Sequence, residues 1–318
     1  MKTSKGKIRS DRFEIPYRLY GDRDELLVCV SGAMQTMSIW RSVVKHFTSD
    51  FRVLVFDMPG VGRSRILDGP AYVSVDEQVQ VLDSLIARTE PGTKPLTLAG
   101  SSWGTAIAAM YAARYPDRVA NLLLSSFGMK PNAGMEYVVR RAEALYRAGD
   151  FAGGADLIVE VFGDRLQAGY KRQIAAQFAG LTAESAEVFH EHCANIMKLG
   201  RLDEQIDLRD IKARTLIING ADDPIIALED MDQAQRLIPD CQLRLVEGVG
   251  HFLHFERPEL LDEYAEFLCG GPGAADVSSG SLPDRTDLSA DHPRQDSSPT
   301  ARRRTALSGS AGPESRPV

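Results

Sequence analysis

The amino-acid sequence predicts an α/β domain: a mostly parallel central sheet, helices on both of its faces, and an inserted helical cap. Two patterns lead there. Over residues 26–125, short apolar runs alternate with segments at helical spacing, the rhythm of a parallel sheet built from crossover units. That rhythm stops over residues 135–200, where the pattern is helical without a strand signal, and resumes at Arg214.

Each element follows from its own pattern. Residues 13–21 alternate apolar and polar side chains and read as a strand near a sheet edge, where Pro16 is tolerated. Residues 25–30 and 52–56 are apolar runs, as expected of strands buried on both faces. Residues 38–47 read as a helix, and 75–88 as a second with Val79, Val81, Leu82, Leu85 and Ile86 at apolar positions. Residues 95–99 form a strand, 105–114 a helix and 119–125 another strand. In the cap, 137–146 and 155–162 carry helical spacing. Beyond it, 214–218 and 242–246 read as strands, and 229–237 and 258–267 as helices. The loop Asp57-Met58-Pro59-Gly60-Val61-Gly62-Arg63-Ser64 is rich in glycine but has neither the ending of a phosphate loop nor a dinucleotide fingerprint.

The expected division is a first core segment at 1–130, a helical cap at 131–210, a second core segment at 211–269 and a tail at 270–318. The tail is dominated by Gly, Ser, Pro, Asp and Arg and has no aromatics. It cannot bury enough apolar surface to offset its ordering entropy, so disorder is expected. Its Arg302-Arg303-Arg304 run reads as solvated. A chain of 318 residues accommodates one large α/β domain. The net charge of −7 argues against a nucleic-acid partner. No stretch approaches the ~18 apolar residues of a transmembrane segment, and no apolar segment follows the charged residues 1–7, so no secretory signal is read. Cys29, Cys193, Cys241 and Cys269 form no C-x-x-C pair, which fits free thiols in a reducing cytoplasm. His190-Glu191-His192-Cys193 is dense in ligand-type side chains, but positions i and i+2 face different sides of a helix, and no metal is expected.

The chemistry centres on Gly100-Ser101-Ser102-Trp103-Gly104, between a predicted strand and a predicted helix. Strand, G-x-S-x-G and helix form the setting of a nucleophile elbow, a turn so sharp that the residues two before and two after its apex must be small. Ser102 occupies that apex; Ser101 lacks glycines at the two offsets. A serine hydroxyl is a poor nucleophile near neutral pH, so it needs a base, and the base needs an orienting partner. Asn219-Gly220-Ala221-Asp222-Asp223-Pro224, after a strand, offers Asp223, with Asp222 as its rival. Gly248-Val249-Gly250-His251-Phe252 offers His251 in a loop that two glycines allow to fold tightly, while His254 reads as a packing or surface residue. The backbone N–H of Trp103 is one expected oxyanion donor. The second comes from the loop after Val30, at Ala33, with Met34 as the alternative.

Together these motifs resemble the α/β-hydrolase superfamily over residues 26–267. Within it, Ser31-Gly32-Ala33-Met34, Ser101-Ser102-Trp103-Gly104, Ile218-Asn219-Gly220, Val246-Glu247-Gly248-Val249-Gly250-His251-Phe252-Leu253 and the cap segment Asn132-Ala133-Gly134-Met135-Glu136-Tyr137-Val138 resemble the 3-hydroxyacyl-ACP acyltransferases. That group includes the 3-(3-hydroxyalkanoyloxy)alkanoate synthase of rhamnolipid biosynthesis and the 3-hydroxyacyl-ACP:CoA transacylase. It tends to carry asparagine where Ser31 stands and glycine where Thr105 stands, and Gly60-Val61-Gly62-Arg63-Ser64 looks closer to ordinary esterases. The resemblance implies the α/β-hydrolase fold, a Ser102–His251–Asp223 triad, an oxyanion hole at Ala33 and Trp103, and no cofactor. It further implies that two 3-hydroxyacyl groups from 3-hydroxyacyl-acyl carrier protein are joined into a surfactant or glycolipid precursor, with a downstream glycosyltransferase as a further partner. Water, as in a serine esterase or thioesterase, and coenzyme A are the alternative acceptors. An acidic carrier protein calls for a local basic patch, for which Arg140, Arg141, Arg147, Lys171 and Arg172 are the candidates.

Overall fold

The computed structural model of the protein describes residues 2–270; the tail expected at 270–318 lies, beyond Gly270, outside them. In chain order the first core segment holds β1 (Thr3–Arg9), β2 (Phe13–Tyr20), β3 (Leu26–Val30), α1 (Arg41–Phe47), β4 (Arg52–Phe56), β5 (Arg65–Ile66), α2 (Val75–Thr89), β6 (Leu96–Ser101), α3 (Trp103–Arg114) and β7 (Val119–Ser125). A helical insert follows: α4 (Ala133–Arg147), α5 (Phe151–Phe162), α6 (Ala168–Ala179), α7 (Ala183–Leu199) and α8 (Leu202–Gln205). The core then resumes with β8 (Arg214–Gly220), α9 (Glu229–Leu237), β9 (Cys241–Val246), α10 (Leu253–Glu256) and α11 (Leu260–Cys269).

The strands form one sheet in the order β1-β2-β4-β3-β6-β7-β8-β9, with β5 paired to β2. From β4 to β9 every neighbouring pair is parallel; β2 runs antiparallel to β1, β4 and β5. The apolar strand runs are what this requires. Along β3, Val28 and Val30 join a core with α2 and α3, whereas Leu27 and Cys29 join a second core with α1 and α11 on the other face. Helix α3 is buried from Trp103 to Ala112, which explains why that stretch carries no charged residue. Helix α2 is amphipathic and starts with a reciprocal cap, in which Ser74 and Glu77 each accept the other's backbone N–H.

Three details differ from the sequence reading. Strand β1 carries no apolar alternation; its side chains are largely exposed, and its backbone is held by pairing with β2, a long-range contact that local pattern does not encode. Strand β2 is therefore internal. Pro16 is accommodated because pairing with β4 covers only Tyr17–Tyr20 and pairing with β5 only Phe13 and Glu14, so Pro16 falls in the gap between them. The first helix is split, with a 3₁₀ turn at Met37–Trp40 preceding α1.

Candidate active site

Strand β6 ends at Ser101 and helix α3 begins at Trp103, leaving one residue for the turn. That residue, Ser102, has φ 52° and ψ −122°, a conformation that costs a non-glycine residue on the order of 1–3 kcal/mol and persists only where its surroundings enforce it. They do so here. A Cβ on Gly100 would lie 2.6 Å from the Gly104 carbonyl oxygen, and one on Gly104 would collide with the Val30 carbonyl. Ser102 N donates to the Ser125 carbonyl (2.9 Å), and Thr105 Oγ1 donates to the Ser102 carbonyl (2.5 Å).

The loops after β8 and β9 converge on this turn. His251 Nε2 lies 3.0 Å from Ser102 Oγ, and His251 Nδ1 lies 2.7 Å from Asp223 Oδ2. All three belong to separate loops at the carboxyl ends of parallel strands, where α/β sheets place ligands. Asp223 and His251 are buried, and Asp223 also accepts the Ile225 N–H (3.1 Å). The neighbouring Asp222 points elsewhere, to Arg165 at 2.6 Å.

The loop after β3 runs against Ser102: a Cβ on Gly32 would lie 3.0 Å from Ser102 Cβ. The Gly32 N–H is taken by Gln35 Oε1 (2.9 Å). The backbone N–H groups of Ala33, Met34 and Trp103 have no hydrogen-bond partner among the described residues. Trp103 opens α3, where an N–H has no acceptor within the helix. Met34 adopts φ 56°, and its carbonyl accepts from Gln177 of α6 (2.6 Å).

Ser102 and His251 open into a cavity of about 440 Å³, within the range of about 300–1,000 Å³ typical of small-molecule sites. The insert supplies most of its apolar wall, including Val138, Ile158, Phe162, Phe178, Phe189 and Ile196. Phe162 packs on His251 with ring centroids 5.2 Å apart. None of the five basic residues proposed for carrier docking lines this cavity. Arg140 pairs with Glu136 (3.2 Å), Arg147 with Glu143 (2.6 Å), and Lys171 donates to the Asp164 carbonyl (2.7 Å). Arg41 and Lys45 of α1, both exposed, do line it.

Several supporting residues escape sequence reasoning. Glu256 accepts the N–H groups of Gly250 (2.7 Å) and Phe252 (2.9 Å), bracketing His251. Gln78 of α2 accepts the Trp103 indole N–H (2.9 Å) in the core. Arg165 pairs with Asp222 and donates to the Gly248 carbonyl (3.3 Å). A carboxylate five residues beyond His251 is the one local signal among these; the others depend on distant segments. His254 is buried, and burial lowers its pKa from 6.5 to about 4. Among the described residues no group of three or more His, Cys, Asp or Glu is placed to hold a metal ion. No described helix is long and apolar enough to cross a membrane. Cys29 and Cys193 are buried, Cys241 is half-buried, and Cys269 is exposed; all four are free.

A turn of this strain, three loops meeting at a serine, a histidine and a carboxylate, and a parallel sheet beneath them define an enzyme of the α/β-hydrolase class. The chain belongs to the alpha/beta hydrolase family, whose model matches residues 27–263. It is similar to an (R)-3-hydroxydecanoyl-ACP:CoA transacylase of Ectopseudomonas oleovorans, with 22% identity over 250 residues, 78% of this chain and 83% of that protein. It is also similar to the monoacylglycerol lipase ABHD6 of Homo sapiens, with 27% identity over 246 residues, 73% of this chain and 71% of that protein. An alpha/beta hydrolase enzyme from a Medee basin deep-sea metagenome library shares the fold with a TM-score of 0.73 and 18% identity, over 87% of this chain and 100% of that one.

Proposed function

We propose that the protein is a serine acyltransferase that takes a 3-hydroxyacyl group from acyl carrier protein and passes it to the hydroxyl of a second 3-hydroxyacyl group. The observation that carries this reading is the apolar cavity that begins at Ser102 and is walled by the insert. It suits aliphatic chains, and it disfavours water, the competing acceptor for an acyl-enzyme. The transacylase relative, named for an ACP-bound 3-hydroxyacyl substrate, supports the donor class.

In the proposed reaction His251 Nε2 takes the Ser102 proton as Oγ attacks the thioester carbonyl, with Asp223 holding His251 in the required tautomer. The N–H groups of Ala33 and Trp103 hold the oxyanion; losing one such donor typically costs ~10²–10³ in rate. The C–S bond breaks, and the thiol leaves with the proton from His251. The acceptor hydroxyl then gives its proton to His251 and attacks the acyl-enzyme; the new ester forms as the acyl–Oγ bond breaks, and His251 returns the proton to Ser102 Oγ. Exposed Arg41 and Lys45 of α1, which line the cavity, offer the acidic carrier protein a basic approach to it. Incubation with 3-hydroxydecanoyl-acyl carrier protein, read by mass spectrometry, tests this. Ester-linked dimer is expected, and none from Ser102→Ala. Free acid alone would identify a thioesterase. Acyl-CoA formed on adding coenzyme A would identify a transacylase.

A further inference from the structure

We propose that His192 reads a hydroxyl group on the acyl chain held at Ser102, so that the cavity selects hydroxylated over unsubstituted acyl donors. The proposal rests on the acyl-transfer reading above and assigns a residue to its substrate class.

His192 sits on α7, is 9% exposed, and lines the same cavity as Ser102. Its ring meets Trp103 edge-on, with centroids 5.1 Å apart. Trp103, which follows Ser102 directly, lines the cavity as well, and the proposal sets His192 against the part of a bound chain that carries the 3-hydroxyl. Neither ring nitrogen of His192 has a hydrogen-bond partner among the described residues, and Nε2 is sealed from solvent. Its near neighbour His190 is turned outward to Glu143 (3.3 Å) and Arg147 (3.2 Å). Three other polar side chains of the cavity wall are engaged with the protein's own backbone: Thr105 with the Ser102 carbonyl, Ser126 with the His251 carbonyl and Gln35 with the Gly32 N–H; Ser42 Oγ, on the same wall, is buried without a partner among the described residues.

The chemistry of the ring fits a hydroxyl. Burial lowers the His192 pKa from 6.5 to about 4, so the ring is neutral near pH 7 and carries one donor and one acceptor nitrogen. A hydroxyl in the cavity can meet Nδ1, because Nε2 is sealed. A buried polar atom without a partner is costly, and a site built to pair with a substrate hydroxyl discriminates against the analogue lacking it. An unsubstituted chain leaves the ring unpartnered. The alternative partner is a water in the small gap that His192 shares with Gln78, Asn195 and Val73, which would make His192 structural.

The test measures Ser102 acylation by intact-protein mass spectrometry, using 3-hydroxydecanoyl and decanoyl thioesters of the same carrier. The readout is the ratio of the two kcat/KM values in the wild type, in His192→Phe, which keeps the ring packing on Trp103, and in His192→Leu. The wild type is expected to favour the hydroxylated donor by about tenfold or more, and either apolar variant to bring the ratio near unity. His192→Gln, which restores a donor and an acceptor, is expected to recover part of the ratio. A wild-type ratio that persists in whichever apolar variant folds overturns the role of His192 and leaves the acyl-transfer reading standing. Failure of both thioesters to acylate wild-type Ser102 overturns that reading, and this proposal with it.

Discussion

Arg165, in the turn between α5 and α6, forms an ion pair of 2.6 Å with Asp222, the residue immediately before Asp223. The same guanidinium donates to the carbonyl of Gly248, in the loop that carries His251. One side chain of the insert thus touches both loops that reach Ser102. Both partners are close to half-exposed, with side-chain accessibilities of 46% and 40%, so the pair contributes less than about 1 kcal/mol to stability. Arg165→Ala is therefore expected to leave the thermal midpoint nearly unchanged. In the proposed reaction it lowers kcat, because small displacements of catalytic groups cost rate steeply, up to about 10²-fold for 1 Å. Thermal unfolding and single-turnover acylation, run side by side, check this; unchanged acylation would show that the two loops hold their places without Arg165.

Asp222 and Asp223 are adjacent in sequence and opposite in surroundings. Asp223 is buried against His251 Nδ1, whereas Asp222 faces Arg165 near the surface. Asp223→Asn keeps the volume but offers an amide that favours the wrong histidine tautomer, and kcat is expected to fall by about 10⁴. Asp222→Asn is expected to stay within about tenfold of wild type, since it disturbs only a half-exposed ion pair. Turnover of one thioester by both variants separates them, and a larger loss in Asp222→Asn than in Asp223→Asn would reverse the assignment.

Glu256 holds the histidine loop from beneath. Its two oxygens accept the N–H groups on either side of His251, at 2.7 and 2.9 Å, and hydrogen bonds to an ionised acceptor are worth about 1.5–3 kcal/mol each. Glu256→Gln keeps the shape but turns one acceptor oxygen into a donor amide facing an N–H. The expected result is a kcat reduced by about tenfold or more with KM little changed, the signature of a misplaced base rather than lost substrate binding. A fall in substrate affinity at constant kcat would assign Glu256 to the cavity instead.

The parallel core and the elbow were legible because each is written locally. Apolar runs such as Leu26–Val30 mark strands buried on both faces, and the glycines flanking Ser102 mark a turn too tight for any side chain. The acid and the histidine were legible because each follows its strand directly. What the sequence hid depends on distant partners. Strand β1 exists through pairing with β2. Gln78 supports Trp103 from 25 positions away. Arg165 meets Gly248 across 83 positions. The five basic residues expected to dock a carrier lie off the cavity wall, and two of them pair with i,i+4 carboxylates on their own helix, a pairing that helical spacing makes local.

The glycine of the elbow gives a stability test. A Cβ at Gly100 meets the Gly104 carbonyl at 2.6 Å, and α3 cannot retreat because it is buried along most of its length. Gly100→Ala is expected to cost about 1–3 kcal/mol or more, as overpacking in a rigid core does. Gly149→Ala is the control: at φ 74° with nothing within 4 Å of its Cβ, it carries backbone strain alone, on the order of 1 kcal/mol. Denaturant midpoints of the two variants check the order, and a Gly149→Ala loss as large as that of Gly100→Ala would show that crowding at Gly100 costs no more than backbone strain at Gly149.

Acid should destabilise the fold through His192 and His254. Burial holds both well below the ordinary value of 6.5, at about 4. As pH falls below about 6.5 the unfolded chain takes up these protons first, so it binds more protons than the folded chain throughout that window. Stability from these two groups is therefore complete above about pH 6.5 and is lost progressively as pH falls towards 4. Asp57 acts in the opposite sense, because burial raises its carboxyl pKa, so the wild-type slope is a balance and the histidine part must be isolated by substitution. Urea unfolding near pH 7 and near pH 5 is expected to show a loss in the wild type. A shallower slope is expected in His192→Phe and in His254→Phe, each of which removes one proton-binding site. Equal slopes in all three proteins would place the acid sensitivity in other groups.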